Sequence, residues 1–198
     1  MEFLSALFTA AVDSNIVFAQ LVGMVAVLLA AYRPQDAVRF GALLWAAVSV
    51  AGLIGWPVYA GFFAPWGVGY LAPVAYAAVS SIVIFVAGAV ACSGKDAAER
   101  ERILVLCTLL AVNAAVLGVP LGNAAAAETA TLASAVGTSV GAGLGAFIAV
   151  VLFATVRQRI DERLVPHALR GLPISLVTAS LMCMAFTCVA GIAGGLFA

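Results

Sequence analysis

The sequence predicts an all-α polytopic membrane protein, with six transmembrane helices forming two inverted three-helix repeats whose first and fourth spans are broken. Three observations carry that prediction. The chain is 65% hydrophobic and only 9% charged, with a mean hydropathy of +1.19, where soluble domains carry charge on about a quarter of their residues. All nine Lys and Arg residues fall in three short segments: Arg33 and Arg39; Lys95, Arg100 and Arg102; and Arg157, Arg159, Arg163 and Arg170. Between them lie nearly charge-free stretches, long enough for the about 20 apolar residues that a span needs.

The stretches divide into six. The first, 3–31, carries only Asp13; it opens after Glu2 rather than a basic segment and outruns a signal-peptide core, so it reads as a span. The second and third, 40–63 and 71–93, carry no charge, and Trp66 and Tyr70 between them suit either an interfacial aromatic belt or loop packing. The fourth and fifth, 103–121 and 131–156, are separated by a connection holding Glu128 as its one charge. The sixth, 171–197, carries none. Short loops and six spans use the whole chain and leave no room for a soluble nucleotide-binding domain.

The basic segments follow the first, third and fifth stretches, so all lie on one side, and the positive-inside rule makes that side cytoplasmic. Both termini are then expected outside, with the chain in the cytoplasmic membrane of a prokaryote. Three spans per half divide the chain at 1–99 and 100–198, and an odd number of spans inserts the second copy upside down. Asn15 and Asn113, 98 residues apart and early in their halves, are the sequence trace of that duplication.

Candidate residues follow from depth. Asp13, Asn15 and Asn113 fall roughly 15 Å into their spans, near the middle of a hydrocarbon layer about 30 Å thick. An Asp there costs on the order of 2.5–3.5 kcal/mol, so it is expected to face protein, water or an ion; the alternatives are a position nearer the interface, or a cap on a short helix. These three are the ion-pathway candidates. The first span is too long to cross straight and contains Gly23, and the fourth ends in Leu117-Gly118-Val119-Pro120-Leu121-Gly122. Either both spans are interrupted, as at sites built from half-helices, or each helix simply ends early. Gly137, Gly141 and Gly145, four apart, form a ridge for close helix packing. Cys92, Cys107, Cys183 and Cys188 form no CxxC pair and read as small apolar fillers. His167, beside Pro166, reads as a solvated loop residue. No basic patch suggests nucleic acid, and no residue suggests a nucleophile, general base or flavin attachment point, so catalysis by this chain alone is not expected.

Several runs match a known pattern. Val112-Asn113-Ala114-Ala115-Val116-Leu117-Gly118 stands against a family run T-N-C-A-V-L-G. Val151-Leu152-Phe153-Ala154-Thr155-Val156-Arg157-Gln158-Arg159 stands against V-L-F-A-x-I-R-E-R, and Arg170 to Met182 against R-G-x-x-I-x-L-I-T-A-G-L-M. Upstream, Ser14-Asn15-Ile16-Val17, Gly23, Trp56, Pro65, Tyr70 and Leu71 fall in register. Over nearly its whole length the chain resembles the RnfA/NqrE family, paired six-span membrane subunits of redox-driven ion pumps. The basic loops after odd-numbered spans match its RnfA-like member. The resemblance implies a role in an Rnf/Nqr-like complex that couples electron transfer to Na⁺ or H⁺ movement. Its implied partners are a homologous six-span subunit of opposite topology (RnfE/NqrD-like) and flavin- and iron–sulfur-carrying subunits. Arg157, Arg159, Arg163 and Arg170 are the docking candidates for cytoplasmic partners.

The resemblance also implies an iron–sulfur cluster shared with the homologous subunit, held by one cysteine in each half-helix. This chain departs from the family there, with Val25 and Ala114 at the two positions. Neither offers the thiolate that iron needs, and Cys107 lies about two turns before Ala114. The chain is therefore expected to bind no cofactor itself and to serve as scaffold or ion path. A repurposed inverted-repeat transporter or channel, or an anchor for a cytoplasmic partner, is the alternative.

Overall fold

The computed structural model describes residues 2–30, 34–127, 130–189, 191 and 195. Arg33 and Glu128 lie outside them. The described residues form helices without strands: α1 (Glu2–Phe8), α2 (Met24–Ala30), α3 (Pro34–Val58), α4 (Ala72–Ala91), α5 (Ala97–Ala111), α6 (Ala114–Ala125), α7 (Leu132–Gln158) and α8 (Leu172–Val189). π-helical turns extend α1 over Thr9–Asp13 and α3 over Tyr59–Phe63.

Local chemistry sets these limits. Pro34 opens α3, where its missing N–H would be unpaired in any case, and Asp36 stands in the first turn against the positive helix end. Thr131 caps α7 by accepting from the Ser134 N–H at 3.2 Å, and Arg157 sits in the last turn. Gly171 enters α8 with φ +80°.

Gln35–Phe63, Gly69–Ala91, Leu132–Gln158 and Leu172–Val189 are each long and apolar enough to cross a membrane, and α5 with α6 makes one further segment bent by 41°. Every segment falls on a stretch expected from the sequence, and the protein is an all-α, polytopic membrane protein.

α3 and α7 run antiparallel through the centre. Gly41 meets Phe147, Gly143 meets Trp45, and Gly52 meets Ser139, each glycine admitting the partner where a Cβ would collide. Phe40, Leu44, Val48, Ala146, Val150 and Phe153 are fully buried between and around them. Within lipid such packing rests on close van der Waals contact rather than on escape from water. α4 and α8 are peripheral, with Val86, Val90, Leu181 and Met184 on the outer surface.

One expectation is corrected. The interruption of the fourth span lies at Val112–Asn113, not in the Gly118–Gly122 run. Pro120 sits inside α6, buried, and a Cβ on Gly55 would approach its ring to 3.0 Å. A proline removes one helical N–H but does not end a helix whose neighbours accommodate the ring.

Candidate site at the two helix breaks

The first break begins where α1 widens. The π-helical turn closes with the Ser14 N–H donating to the Thr9 carbonyl at 2.8 Å, and Asp13, half-buried, is its last residue. Asn15 then redirects the chain. Its Nδ2 donates to the Ala11 carbonyl at 3.0 Å, while its Oδ1 accepts from the N–H groups of Val17 (3.0 Å) and Phe18 (3.1 Å). Asn15 is wholly buried, and the Phe18 ring packs 4.7 Å from that of Phe186 on α8. The irregular segment ends with Leu21 at φ +57° and Gly23 at φ +77°, after which α2 starts. The left-handed conformation costs a residue with a Cβ about 1–2 kcal/mol.

The second break repeats the device. Asn113 leaves α5 in an extended conformation, and its Oδ1 accepts from the Ala115 N–H at 2.9 Å to cap α6. Its Nδ2 is buried without a hydrogen-bond partner. The breaks touch: Gly23 lies directly on the Asn113 side chain, and a Cβ there would overlap Oδ1 and come within 3.1 Å of Ala115 Cβ. Asn15 and Asn113 thus each end one half-helix and start the next piece of backbone.

Val25 and Ala114 are brought together. Both are exposed and line one hollow of about 390 Å³ beside Leu21, Val112 and Asn113, with Val25 72% and Val112 81% exposed. An isopropyl and a methyl group cannot bind iron, so the pair does not fit the donor set that a cluster requires. Cys107 is wholly buried and directs its Sγ toward the Ile84 carbonyl at 3.9 Å, away from this hollow. Among the described residues no group of three or more His, Cys, Asp or Glu side chains is arranged to hold a metal.

The glycine ridge lies against the first half-helix. A Cβ on Gly137 would stand 2.6 Å from the Phe3 carbonyl oxygen, and one on Gly145 would stand 2.5 Å from that of Ala11 and 2.9 Å from Asn15 Nδ2. Gly141 meets the Leu7 backbone still more closely. The pairs 3–137, 7–141 and 11–145 keep one constant offset, so α1 and α7 run parallel.

The four arginines separate into two kinds. Arg157 donates to Ser175 Oγ at 2.7 Å and pairs with Glu162, tying the end of α7 to α8. Arg170 donates to the carbonyls of Val165 (3.0 Å) and Arg163 (3.3 Å) and shapes the loop. Arg159 and Arg163 are exposed, as is His167. On the same side Glu99, ahead of the apolar stretch that begins at Ile103, takes Arg39 at 2.7 Å and Lys95 at 3.4 Å. The Arg39 hydrogen bond, then the Lys95 charge, hold the Glu99 carboxyl below its usual range.

Sequence reasoning passed over a second polar group. Asn123 of α6 is buried, its Nδ2 donating to the Ala135 carbonyl (3.1 Å) and to Ser139 Oγ (2.8 Å) of α7. Ser14, Gln20, Ser134 and Thr138 border the space beside it. An Asn inside an apolar run, with Ser and Thr four apart on the next span, was the available signal.

A profile described as Rnf-Nqr subunit, membrane protein, matches residues 3–193. The chain belongs to the Rnf-Nqr family. Relatives of this Rnf-Nqr member match end to end. It is 28% identical over 188 residues to the A subunit of the Na(+)-translocating ferredoxin:NAD(+) oxidoreductase complex of Acetobacterium woodii, covering 94% of this chain and 95% of that protein. It is 30% identical to the A subunit of the ion-translocating oxidoreductase complex of Azoarcus sp. (strain BH72), covering 96% and 97%, and 30% identical to that of Erwinia tasmaniensis, with the same coverage. The family resemblance read from the Asn113 and Arg170 runs is thereby established, and this Rnf-Nqr chain is a multi-pass membrane protein.

Proposed function

We propose that this chain is the A-type membrane component of an ion-translocating oxidoreductase complex, contributing scaffold and ion path rather than a cluster ligand. The observation that carries the proposal is the meeting of two asparagine-capped breaks, Gly23 against Asn113, in a chain matched end to end by components of that name. Half-helices that end within a membrane place backbone carbonyls and helix ends where a cation can use them. Asp13, Asn15 and Asn113 are the polar groups of that layer. Electrons cross on cofactors held by neighbouring proteins of the complex, since Val25 and Ala114 supply no thiolate. The partners are a homologous six-span protein of opposite topology, seated over the exposed Val25–Val112 surface, and flavin- and iron–sulfur-carrying components. The chain lies in the cytoplasmic membrane as two inverted three-span repeats, both termini outside and Arg159 and Arg163 free to meet a cytoplasmic partner.

The test is purification from native membranes in mild detergent, with identification of what accompanies the chain and an iron count. A second six-span protein and redox components are expected. A chain that purifies alone sinks the complex and favours a stand-alone transporter, the reading that the missing thiolates make the second choice. Stoichiometric iron bound by this chain itself sinks the cluster-free assignment.

A further inference from the structure

A crevice separate from the Val25–Ala114 hollow opens between α1 with its π-helical turn, the end of α6 and the start of α7. Two spaces of about 430 Å³ and 300 Å³ share Ala10, Ser14, Ala130, Ser134 and Thr138 as lining, so they form one passage. Glu2 stands at the mouth; Asn123 and Ile16 border the inner end. At about 30 Å³ per water, the inner space alone holds on the order of ten waters.

The chemistry of the lining selects a cation. Two of the hydroxyl protons are committed to backbone: Ser14 Oγ donates to the Thr9 carbonyl (3.1 Å), and Thr138 Oγ1 donates to the Ser134 carbonyl (2.9 Å). Both N–H donors of Asn123 are used as well, on Ala135 and Ser139. What these groups have left is oxygen lone pairs. The inner space also lies beside two negative helix ends, that of the π-helical turn at Asp13–Ser14 and that of α6 at Ala125–Ala126. The positive end of α7 at the mouth is already met by Glu2, whose Oε2 accepts from Thr131 Oγ1 at 2.9 Å. Outside the three basic segments the only charges in the sequence are Glu2, Asp13 and Glu128, all acidic. At the inner end Ile16 and Val22 pack near Gly118, 3.6 Å and 3.8 Å from where a Cβ on it would be.

We propose that this crevice is the outward-facing entry and binding site for a small, partly hydrated monovalent cation, with Ser14, Asn123, Ser134 and Thr138 as its oxygen ligands and Ile16–Val22 as the barrier beyond it. The proposal deepens the ion-path assignment above and rests on it. A second hollow, of about 530 Å³, lies between α2 and α5 with Asp36, Glu101 and Arg102 on its border. Exchange of the two halves would turn α1 with α6 into α5 with α2, so this hollow is the counterpart on the opposite face.

The test uses single cysteines at Ser134 and Thr138 in a chain whose four native cysteines are replaced by serine. Membranes of both orientations are treated with a membrane-impermeant, positively charged thiol reagent. Both Ser134→Cys and Thr138→Cys should react from the outer side only. Val86→Cys on the outer surface of α4 should react at least tenfold more slowly. Sodium chloride should slow the Thr138→Cys reaction at least threefold relative to choline chloride at equal ionic strength. In the Ser134→Ala background the sodium concentration for half-protection should rise about fivefold, the loss of one ligand. No labelling from outside, or a rate equal to that at Val86, overturns the crevice. Labelling that sodium does not slow leaves a water-filled pocket and overturns the cation site. If the cysteine-free chain does not accumulate, added mass on Ser134→Cys over the wild-type chain gives the same readout. Labelling needs no redox partner, so a chain that purifies alone but shows sodium-protected labelling keeps this site while losing the complex.

Discussion

Gly23 and Asn113 define the tightest residue-level constraint in the molecule. Gly23 combines φ +77° with a Cβ direction that points into the Asn113 amide, so alanine there meets both a conformational and a steric penalty. Gly23→Ala is expected to destabilise the detergent-purified protein by about 2–4 kcal/mol, read from thermal unfolding against wild type. Asn113→Ala removes the α6 cap at a cost of about 1 kcal/mol, but it also empties the space that the new methyl would enter. In that background Gly23→Ala should cost only about 1 kcal/mol, its conformational part. Simple addition of the two single effects would show that the residues are not coupled. Asn113 was singled out in the sequence by its depth, and Gly23 as a glycine inside a first span too long to cross straight. Their contact was not legible there, because residues 90 apart meet only once α2 and α5 are packed.

Among the elements, α7 is the post on which the others lean, and its glycines divide between two neighbours. Gly137, Gly141 and Gly145 take the backbone of α1, whereas Gly143 takes Trp45 of α3. Gly141→Ala is therefore expected to cost about 1–3 kcal/mol by forcing α1 outward. Gly61→Ala, with open space around it, should change stability by less than about 0.5 kcal/mol. Equal losses at the two positions, measured by thermal unfolding, would refute close α1–α7 packing. The elements were largely readable from hydropathy, because apolar stretches of membrane-spanning length leave little choice of structure. The fourth span was misjudged at one point. Pro120 and its flanking glycines look like the stop, yet Asn113 makes the break, because a side-chain acceptor for the Ala115 N–H starts a new helix more decisively than one missing donor ends the old one. The crevice beside Asn123 was passed over for a related reason, although Asn123 with Ser134 and Thr138 on the next span was a signal for it. Its Ser and Thr hydroxyls bond their own helices, so in sequence they read as ordinary span residues.

At the scale of the whole molecule, the proposed topology makes a direct prediction about orientation. It puts every basic segment on the cytoplasmic side, and α1 runs parallel to α7. Trypsin should therefore leave the chain intact in right-side-out spheroplasts and cut it in inside-out membranes, near Lys95–Arg102 and Arg157–Arg170. Cleavage from the outer side would overturn the topology. The parallel seating of α1 on the glycine ridge also sets a schedule. Its partner surface is made about 130 residues later, and at 5–20 residues per second the first half-helix waits on the order of ten seconds for its seat. During that interval Glu2, Ser5 and Thr9 have no α7 beside them, so a nascent chain arrested before Gly137 leaves α1 with these polar groups exposed to lipid. Quality-control proteases that patrol the membrane should recognise that exposed helix first, and the N-terminal half made alone should be short-lived even though its other two spans are complete.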